Sequence, residues 1–346
     1  MRVGASSHHI LKLQNYKITV NRHRVFYKCL CTIFLLCFAA NVTAELLTKS
    51  VLLSRMKHAE NNLNYHGVFV FKHGNKLDAM SITHGLVDGI TRERLVSLNG
   101  ASREVTRNGS QVKCVWPQKQ IFSLAPSSTY KAIPTTIPRD LTKIKKIYTL
   151  RSEKFEQVAG KTCQVLKIRP SDGYRYAHEL CIQPSTGMLL RSMIWDEDKK
   201  QVLEDVMFTQ LEYLDDVNTI SFDSVYDTSQ YKSKRSFISN FKPIDYSQLM
   251  QTIDVTMLPE GFVVESASQR AMTQKQSPVS HIVLTDSIAN VSIFISELEH
   301  EVNLKPMLIG RGAMNVFTRS NDRYKITVLG EVPSKTVEMI GASVKL

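Results

Sequence analysis

The chain has 346 residues, of which 43% are apolar and 22% charged, and its 44 Lys and Arg outnumber its 32 Asp and Glu to give a formal net charge of +12. This composition excludes a disordered or low-complexity chain, and the length suggests about two domains of roughly 100–200 residues each. A basic balance favours anionic partners, such as lipid head groups, acidic proteins or nucleic acid, without choosing among them.

Residues 1–44 have the order of segments of a secretory signal peptide. Six Lys and Arg and no acid precede Glu45, an apolar run of about a dozen residues occupies 29–40, and 42–44 supplies small residues at the cleavage spacing. The run is shorter than the roughly 20 residues that a membrane-spanning helix needs. We therefore predict export to the periplasm and a mature chain that begins at Glu45. The long basic leader leaves two alternatives open, an uncleaved signal anchor and a start codon placed too far upstream.

Cleavage would change both the charge and the cysteine count. It lowers the formal net charge from +12 to +6 and removes three of the six Cys, so that Cys114, Cys163 and Cys181 remain. Export also makes nucleic acid the least suitable of the anionic partners. An oxidising compartment permits one disulfide among the three remaining thiols.

Cys163 and Cys181 flank a hairpin-like stretch centred on 171–173, so we predict that they are linked. If they lay directly opposite each other, Arg169 would face Arg175, and like charges facing across strands are unfavourable. The pairing therefore stays open. Cys114 alternates with apolar residues along a predicted strand, which favours a buried and reduced thiol.

The first part of the mature chain, 45–214, predicts one helix followed by a sheet. Apolar residues at helical spacing in 45–64 indicate an amphipathic helix. The period then changes to two, and turn signals at 73–75 and 108–109 separate strands of an antiparallel meander. We predict about eight strands in a highly curved sheet, with a proline-rich loop at 125–140 that breaks regular structure.

The second part of the chain predicts a smaller α+β domain at 250–346. The periodicity weakens after residue 214, and we predict a linker within 215–249. Five strand patterns follow, and Pro333 opens a short helix that extends to Val344. The fold class is therefore α+β, with a large curved sheet and helix first and a smaller domain second.

The sequence lacks the specific motifs of catalysis and of metal or nucleotide binding. Glycines 310 and 312 resemble the start of a dinucleotide loop, but the third glycine is absent and a tight turn explains them better. We therefore predict no enzymatic activity, no catalytic residue, no metal site and no cofactor.

The first domain offers apolar surface for a ligand instead. A curved sheet with a helix beside it can enclose a cavity that accepts a hydrophobic molecule. We take as candidate lining residues Phe69, Phe71, Trp116 and Trp195. The alternative is that these side chains simply fill the core.

Several segments, taken in order, resemble the MucB/RseB family. The resemblance covers nearly the whole mature chain and rests on the segments 62–70, 103–105, 163, 170–176, 258–262, 312–318 and 326–333. It implies a first domain shaped like the carriers LolA and LolB, an unclosed antiparallel barrel with a helix, and a second domain that helps to bind the periplasmic tail of an anti-sigma factor.

The same resemblance implies a regulatory function. The bound protein would shield the anti-sigma factor from the site-one protease, and acyl chains of lipopolysaccharide or lipoproteins would release it. The alternative hypothesis is a periplasmic carrier of lipids or lipoproteins that uses the same cavity, although a plain carrier has no evident use for 250–346. An envelope enzyme and self-association into a homo-oligomer also stay open.

We place the contact with the anti-sigma factor on three arginines of the second domain, Arg311, Arg319 and Arg323. They lie in or next to a segment that carries the resemblance, where turns can project side chains from a rigid strand. The planar fork of Arg binds a carboxylate through two hydrogen bonds while its stem covers apolar surface. The alternative is that they are solvated side chains on a half-exposed sheet.

The predicted cleavage is tested by amino-terminal sequencing of the exported protein. We expect the sequence to start at Glu45. Recovery of an intact leader in the membrane fraction would contradict a cleaved signal peptide.

Overall fold

The structure is a computed structural model. It describes residues 46–127, 130, 132–133, 144–234, 242–245, 247, 253–270, 279–298, 305–321 and 323–346. The predicted signal peptide, most of the proline-rich loop and part of the predicted linker therefore lie outside the described residues. The residues Leu46–Leu346 belong to one compact unit.

The predicted first helix is confirmed as α1 (Lys49–Asn62). Its buried residues repeat at helical spacing and form one face, which consists of Leu52, Leu53, Met56 and Ala59. This face packs against a core that also contains Ile144, Leu166 and Ile182. The helix is therefore held by burial on the sheet.

Twelve of the described strands form one sheet after the helix. Its strands are β1 (Tyr65–His73), β2 (Lys76–Val87), β3 (Ile90–Ser97), β4 (Glu104–Asn108), β5 (Gln111–Trp116), β6 (Ile121–Pro126), β7 (Tyr148–Val158), β8 (Lys161–Pro170), β9 (Ala177–Ile182), β10 (Leu189–Asp196), β11 (Gln201–Tyr213) and β12 (Lys232–Ser233). They are arranged in the order β12-β6-β5-β4-β3-β2-β1-β11-β10-β9-β8-β7. β12 and β7 end the sheet and are not paired with each other, so the predicted unclosed sheet is confirmed.

The sheet has more strands than the eight predicted, because the strands at its ends lack a clear alternation. β7 is an edge strand in which charged and half-buried residues follow one another. Edge strands are exposed on one side and tolerate polar residues, which weakens the two-residue period. β6 lies next to the opposite edge and carries the start of the predicted loop.

The disulfide between Cys163 and Cys181 is present, and both residues are buried. Across β8 and β9, Cys181 pairs with Val165, so the two Cys lie diagonally, with their Cα atoms 5.3 Å apart. Arg175 lies beyond the last paired residues of β8 and β9, so it does not face Arg169 across the strands. Cys114 is free, as predicted, but half-buried rather than buried.

The predicted linker begins with a segment that packs along the first sheet. Val217 and Phe222 are buried, and the Cβ that a side chain would add at Gly85 would lie 2.9 Å from the Phe222 ring. β12, within the same segment, pairs in parallel with β6. Residues up to 234 therefore extend the first sheet.

The described part of the second domain contains a seven-stranded sheet, a separate pair of short strands and a helix. Its elements are β13 (Lys242–Pro243), β14 (Asp254–Val255), β15 (Val263–Arg270), β16 (Val279–Thr285), β17 (Asn290–Glu297), β18 (Met307–Arg311), β19 (Met314–Asn321), β20 (Tyr324–Gly330), α2 (Ser334–Ser343) and β21 (Val344–Lys345). The order in the sheet is β13-β15-β16-β17-β20-β19-β18, and β14 pairs separately with β21. These elements confirm an α+β fold.

The helix α2 packs closely on the sheet of the second domain. Val337 and Ile340 are fully buried in a core with Val291 and Val328. Gly341 allows the contact, because a Cβ there would lie 2.4 Å from the Phe317 ring. None of the described helices is long and apolar enough to cross a membrane.

The disulfide gives a stability prediction. Replacement of both Cys163 and Cys181 by Ser removes a cross-link that closes a loop of 18 residues in sequence separation. We expect a loss of about 3 kcal/mol in the free energy of unfolding, because the unfolded chain has more conformational entropy without the cross-link. Urea unfolding of the two proteins measures it, with Cys114→Ser as the control, which should change stability little. An unchanged unfolding midpoint would contradict the prediction.

Candidate functional site

A buried ion pair joins the two domains. Arg175 follows β8, Asp286 lies in the turn after β16, and the side chains of both are 0% exposed. The Arg175 Nε donates to Asp286 Oδ2 at 2.5 Å, and the other guanidinium nitrogens donate to Asp172 and to the backbone oxygen of Glu260. The guanidinium therefore has acceptors from both domains.

Further hydrogen-bond donors and an aromatic ring surround this ion pair. Asp286 also accepts a hydrogen bond from the Tyr148 hydroxyl at 2.9 Å and from the backbone N–H groups of Ile288 and Ala289. The Arg175 guanidinium lies 4.7 Å from the centre of the Phe262 ring. Burial alone would lower the pKa of Arg175, but the hydrogen bond and charge of Asp286 raise it above the usual range.

Other hydrogen bonds between the domains surround the ion pair. The Thr336 hydroxyl at the start of α2 donates to the Tyr174 backbone oxygen at 2.8 Å, and the Asn315 amide donates to the Tyr176 hydroxyl at 3.0 Å. At the rim, Lys335 contacts Asp198 at 3.0 Å. The segments 170–176, 258–262 and 312–318, which resembled one family in the sequence, therefore meet at this interface.

A cavity of about 250 Å³ lies between α1 and the first sheet. Its walls combine Met56 and Ala59 of α1 with Arg107 of β4 and Leu189 of β10. β4 and β10 are five strand spacings apart in the sheet order, about 24 Å along a flat sheet. They line one small cavity because the sheet is strongly curved.

One end of the cavity is polar. His84 and Glu93 are 2% and 6% exposed, and the His84 Nε2 lies 3.6 Å from Glu93 Oε1. Arg107 lies 3.5 Å from the same Glu93 oxygen. Within the described part of the chain, His84 Nε2, Glu93 Oε2 and the hydroxyl of Tyr130, which also lines the cavity, have no hydrogen-bond partner.

The position of the imidazole fixes its tautomer. His84 Nδ1 lies 2.7 Å from the Leu63 carbonyl oxygen, which can only accept, so Nδ1 carries the proton and Nε2 of the neutral ring is an acceptor. Burial lowers the pKa of His84, helped by the charge of Arg107. Burial likewise raises the pKa of Glu93, although Arg107 opposes that shift.

The four predicted lining residues lie elsewhere. Phe69 is 0% exposed and packs in the core with its ring centre 5.7 Å from that of Phe208. Phe71 stacks on His73, and Trp116 and Trp195 are half-buried. None of the four lines the cavity described above. Phe69 therefore fills the core, as the alternative held, and the cavity is lined by other residues.

The three predicted arginines have different environments. Arg311 is exposed at the end of β18, and Arg323 is 70% exposed and pairs with Glu297 at 2.6 Å. The Arg319 guanidinium donates to the backbone oxygens of Gly341 and Val344 at 2.7 and 2.6 Å. Arg319 thus holds the end of α2 through two of its donor groups.

Two inward positions in the strand patterns of the sequence point to the cavity. Glu93 and the buried Leu95 are two residues apart on β3 and lie on the same face, so the Glu93 carboxylate points into the core. His84 and the buried Ile82 likewise lie on the same face of β2. A charged residue at an inward position of a strand is rare unless it is paired, and it marks a site.

Two mostly-β domains joined by a buried polar network, with a part-polar cavity in the first, define a two-domain binding protein. Residues 48–226 match the profile of the MucB/RseB N-terminal domain, and residues 248–345 match that of the MucB/RseB C-terminal domain. The chain belongs to the MucB/RseB family.

Its relatives include regulatory proteins of two bacteria. The sigma-E factor regulatory protein RseB of Salmonella typhimurium is 23% identical over 321 residues, covering 89% of this chain and 93% of that protein. The sigma factor AlgU regulatory protein MucB of Pseudomonas aeruginosa is 27% identical over 300 residues, covering 85% of this chain and 89% of that protein. These relatives are named as regulators and not as enzymes.

Solved structures of the family are similar over most of the chain. A chain in the complex of MucA and MucB from Pseudomonas aeruginosa matches with a TM-score of 0.66 at 25% identity, over 86% of this chain and 98% of that one. MucB in complex with MucA(peri) matches with the same values.

The buried His178 gives a pH prediction for the folded protein. It lies on β9, and burial lowers its pKa from 6.5 to about 4, while the charge of Asp286 opposes the shift. Because the unfolded chain binds the proton first, stability is full above about pH 6.5 and falls as the pH approaches 4.

We expect the wild-type protein to lose roughly 2–3 kcal/mol more than His178→Gln between neutral pH and about pH 4.5. Denaturant unfolding at the two pH values measures this difference, and the other titrating groups cancel because both proteins share them. Equal pH dependence of the two proteins would contradict the buried, neutral state of His178.

Proposed function

We propose that the protein is a periplasmic regulator that binds the periplasmic segment of a membrane-anchored anti-sigma factor and shields it from site-one proteolysis. Membership of the MucB/RseB family supports this, together with the solved complexes of MucB with MucA. The observation in this chain that carries the proposal is the exposed apolar edge strand β18 in the second domain.

β18 is a suitable template for an extended partner segment. It ends the sheet, pairs only with β19 among the described strands, and exposes Met307, Leu308 and Ile309 by 52%, 42% and 53%. Native proteins usually protect an apolar edge, because its unpaired N–H and C=O groups recruit another strand. An anti-sigma segment could add to this edge, with backbone hydrogen bonds for affinity and apolar side chains for specificity.

Two exposed arginines lie in the same sheet as this edge. Arg311 is the last residue of β18, and Arg323 lies in the turn between β19 and β20. Arg311 is available to acidic side chains of a partner, and Arg323 would have to exchange its ion pair with Glu297 for one. Arg319 already binds backbone oxygens of the helix end. We therefore retain Arg311 and Arg323 as the leading partner contacts and give Arg319 a supporting role.

The cavity of the first domain is the proposed sensor. We infer that an acyl chain from lipopolysaccharide or a lipoprotein enters between Met56, Ile133 and Leu189, and that this entry releases the partner. A carrier of lipids is the alternative function, and the same cavity would support it. The buried network that ties the second domain to the first favours a regulator, because a carrier would not need that attachment.

Ile309→Asp tests the proposed edge contact. It places a charge on the apolar edge, and we expect affinity for the fluorescently labelled periplasmic domain of the anti-sigma factor from the same bacterium to fall about tenfold or more. Stability should change by no more than about 0.5 kcal/mol, because the side chain is exposed. Fluorescence anisotropy of the mature protein gives the affinity.

Leu98→Asp is the matched control, since Leu98 is 54% exposed in a turn of the first domain. It should leave the affinity unchanged. In the same titration Arg311→Ala and Arg323→Ala should each weaken binding by about 1 kcal/mol without unfolding the domain. Equal affinity of the wild-type protein and Ile309→Asp would show that β18 is not part of the interface.

A further inference from the structure

The polar end of the first-domain cavity contains a set of groups that neither the core nor the domain interface uses. We propose that this cavity selects an amphiphile with a primary ammonium head group, which binds between Glu93 and His84 while the alkyl chain lies along α1. The inference deepens the proposed response to lipids by naming the head group.

The polar end of the cavity contains two buried acceptors. His84 Nε2 and Glu93 Oε2 are buried and line the cavity, and within the described residues neither has a hydrogen-bond partner. A buried polar atom without a partner costs free energy, so both atoms favour a ligand that donates hydrogen bonds. A primary ammonium group has three N–H donors and no acceptor, which matches them.

The charges around the cavity favour a cationic ligand. Among the described residues that line it, the charged ones are Glu60, Glu93 and Arg107. Two carboxylates against one guanidinium leave an excess of negative charge, which favours a cation and disfavours a carboxylate or phosphate. Glu60 is exposed at the end of α1, so it can attract the cation before Glu93 binds it.

The Tyr65 ring holds the His84 imidazole in place at the polar end of the cavity. The Tyr65 ring stacks on His84, with ring centres 5.1 Å apart and planes inclined by 10°, and so fixes the direction of Nε2. The Tyr130 hydroxyl, buried and without a partner among the described residues, supplies a further acceptor.

The apolar part of the cavity wall determines the length of the alkyl chain that the cavity can hold. Met56, Ala59, Ile133, Met188 and Leu189 supply its apolar part. A cavity of about 150 Å³ accommodates benzene, so one of about 250 Å³ holds roughly ten non-hydrogen atoms. Octylamine is therefore a probe of the right size, and octanol and octanoate share its tail but differ in the head group.

Isothermal titration calorimetry of the mature protein with the three probes, near pH 7, tests the proposal. Octylamine is protonated there, and we expect it to bind about tenfold or more tightly than octanoate, with octanol between them. Glu93→Gln should abolish that preference. Glu212→Gln, at an exposed position of β11 outside the cavity lining, should preserve it.

Glu60→Gln provides the second test, because Glu60 is exposed and its replacement does not disturb the buried pair. It should reduce the preference for octylamine several-fold even where Glu93→Gln fails to fold. Equal binding of the three probes, no binding of octylamine, or an unchanged preference in both variants would overturn the proposal. Selective binding that leaves the anti-sigma factor bound would keep the ammonium site and refute the lipid-release part of the proposed function instead.

Discussion

The buried ion pair between Arg175 and Asp286 is the contact on which the arrangement of the two domains depends. Two charges that are withdrawn from water are stable only where hydrogen bonds replace the lost solvent. Here Asp172, Tyr148 and the backbone of Glu260 complete that set. Removal of either partner would leave an uncompensated buried charge. A different arrangement of the two domains would separate the pair and therefore cost free energy.

This interface also explains why separate parts of the sequence resembled one family. The loop that carries Arg175, the segment that ends at Phe262 and the turn that precedes Asn315 are distant in sequence but converge on the same surface. Their residue types are set by the interface: glycine for close approach, aromatic rings against the guanidinium, and amides and hydroxyls that join backbone oxygens. The proposed partner surface on β18 lies on the same β-hairpin as Asn315, so a movement of that hairpin would reach both.

Much of the fold followed from the sequence because its signals are local. Helical spacing located α1, alternation located the central strands, and turn residues located the hairpin at Gly74. Several strands were missed, among them β6 beside one edge of the first sheet and the edge strands β7 and β18, in which one side has no neighbour to impose alternation. The cavity was missed for a different reason: His84, Glu93 and Arg107 come together only through the curvature of the sheet. The environment of Arg319 depends on where α2 ends, which no local pattern around Arg319 reveals.

The central claim is that an anti-sigma factor occupies the edge of β18. The most direct measurement places a photo-crosslinking amino acid at Ile309 or at Leu98 in cells and identifies the attached proteins by mass spectrometry. We predict that position 309 crosslinks to the periplasmic segment of a membrane-anchored anti-sigma factor and that position 98 does not. Equal yields from the two positions, or crosslinks from 309 to lipoproteins alone, would contradict a partner-binding edge and favour a carrier.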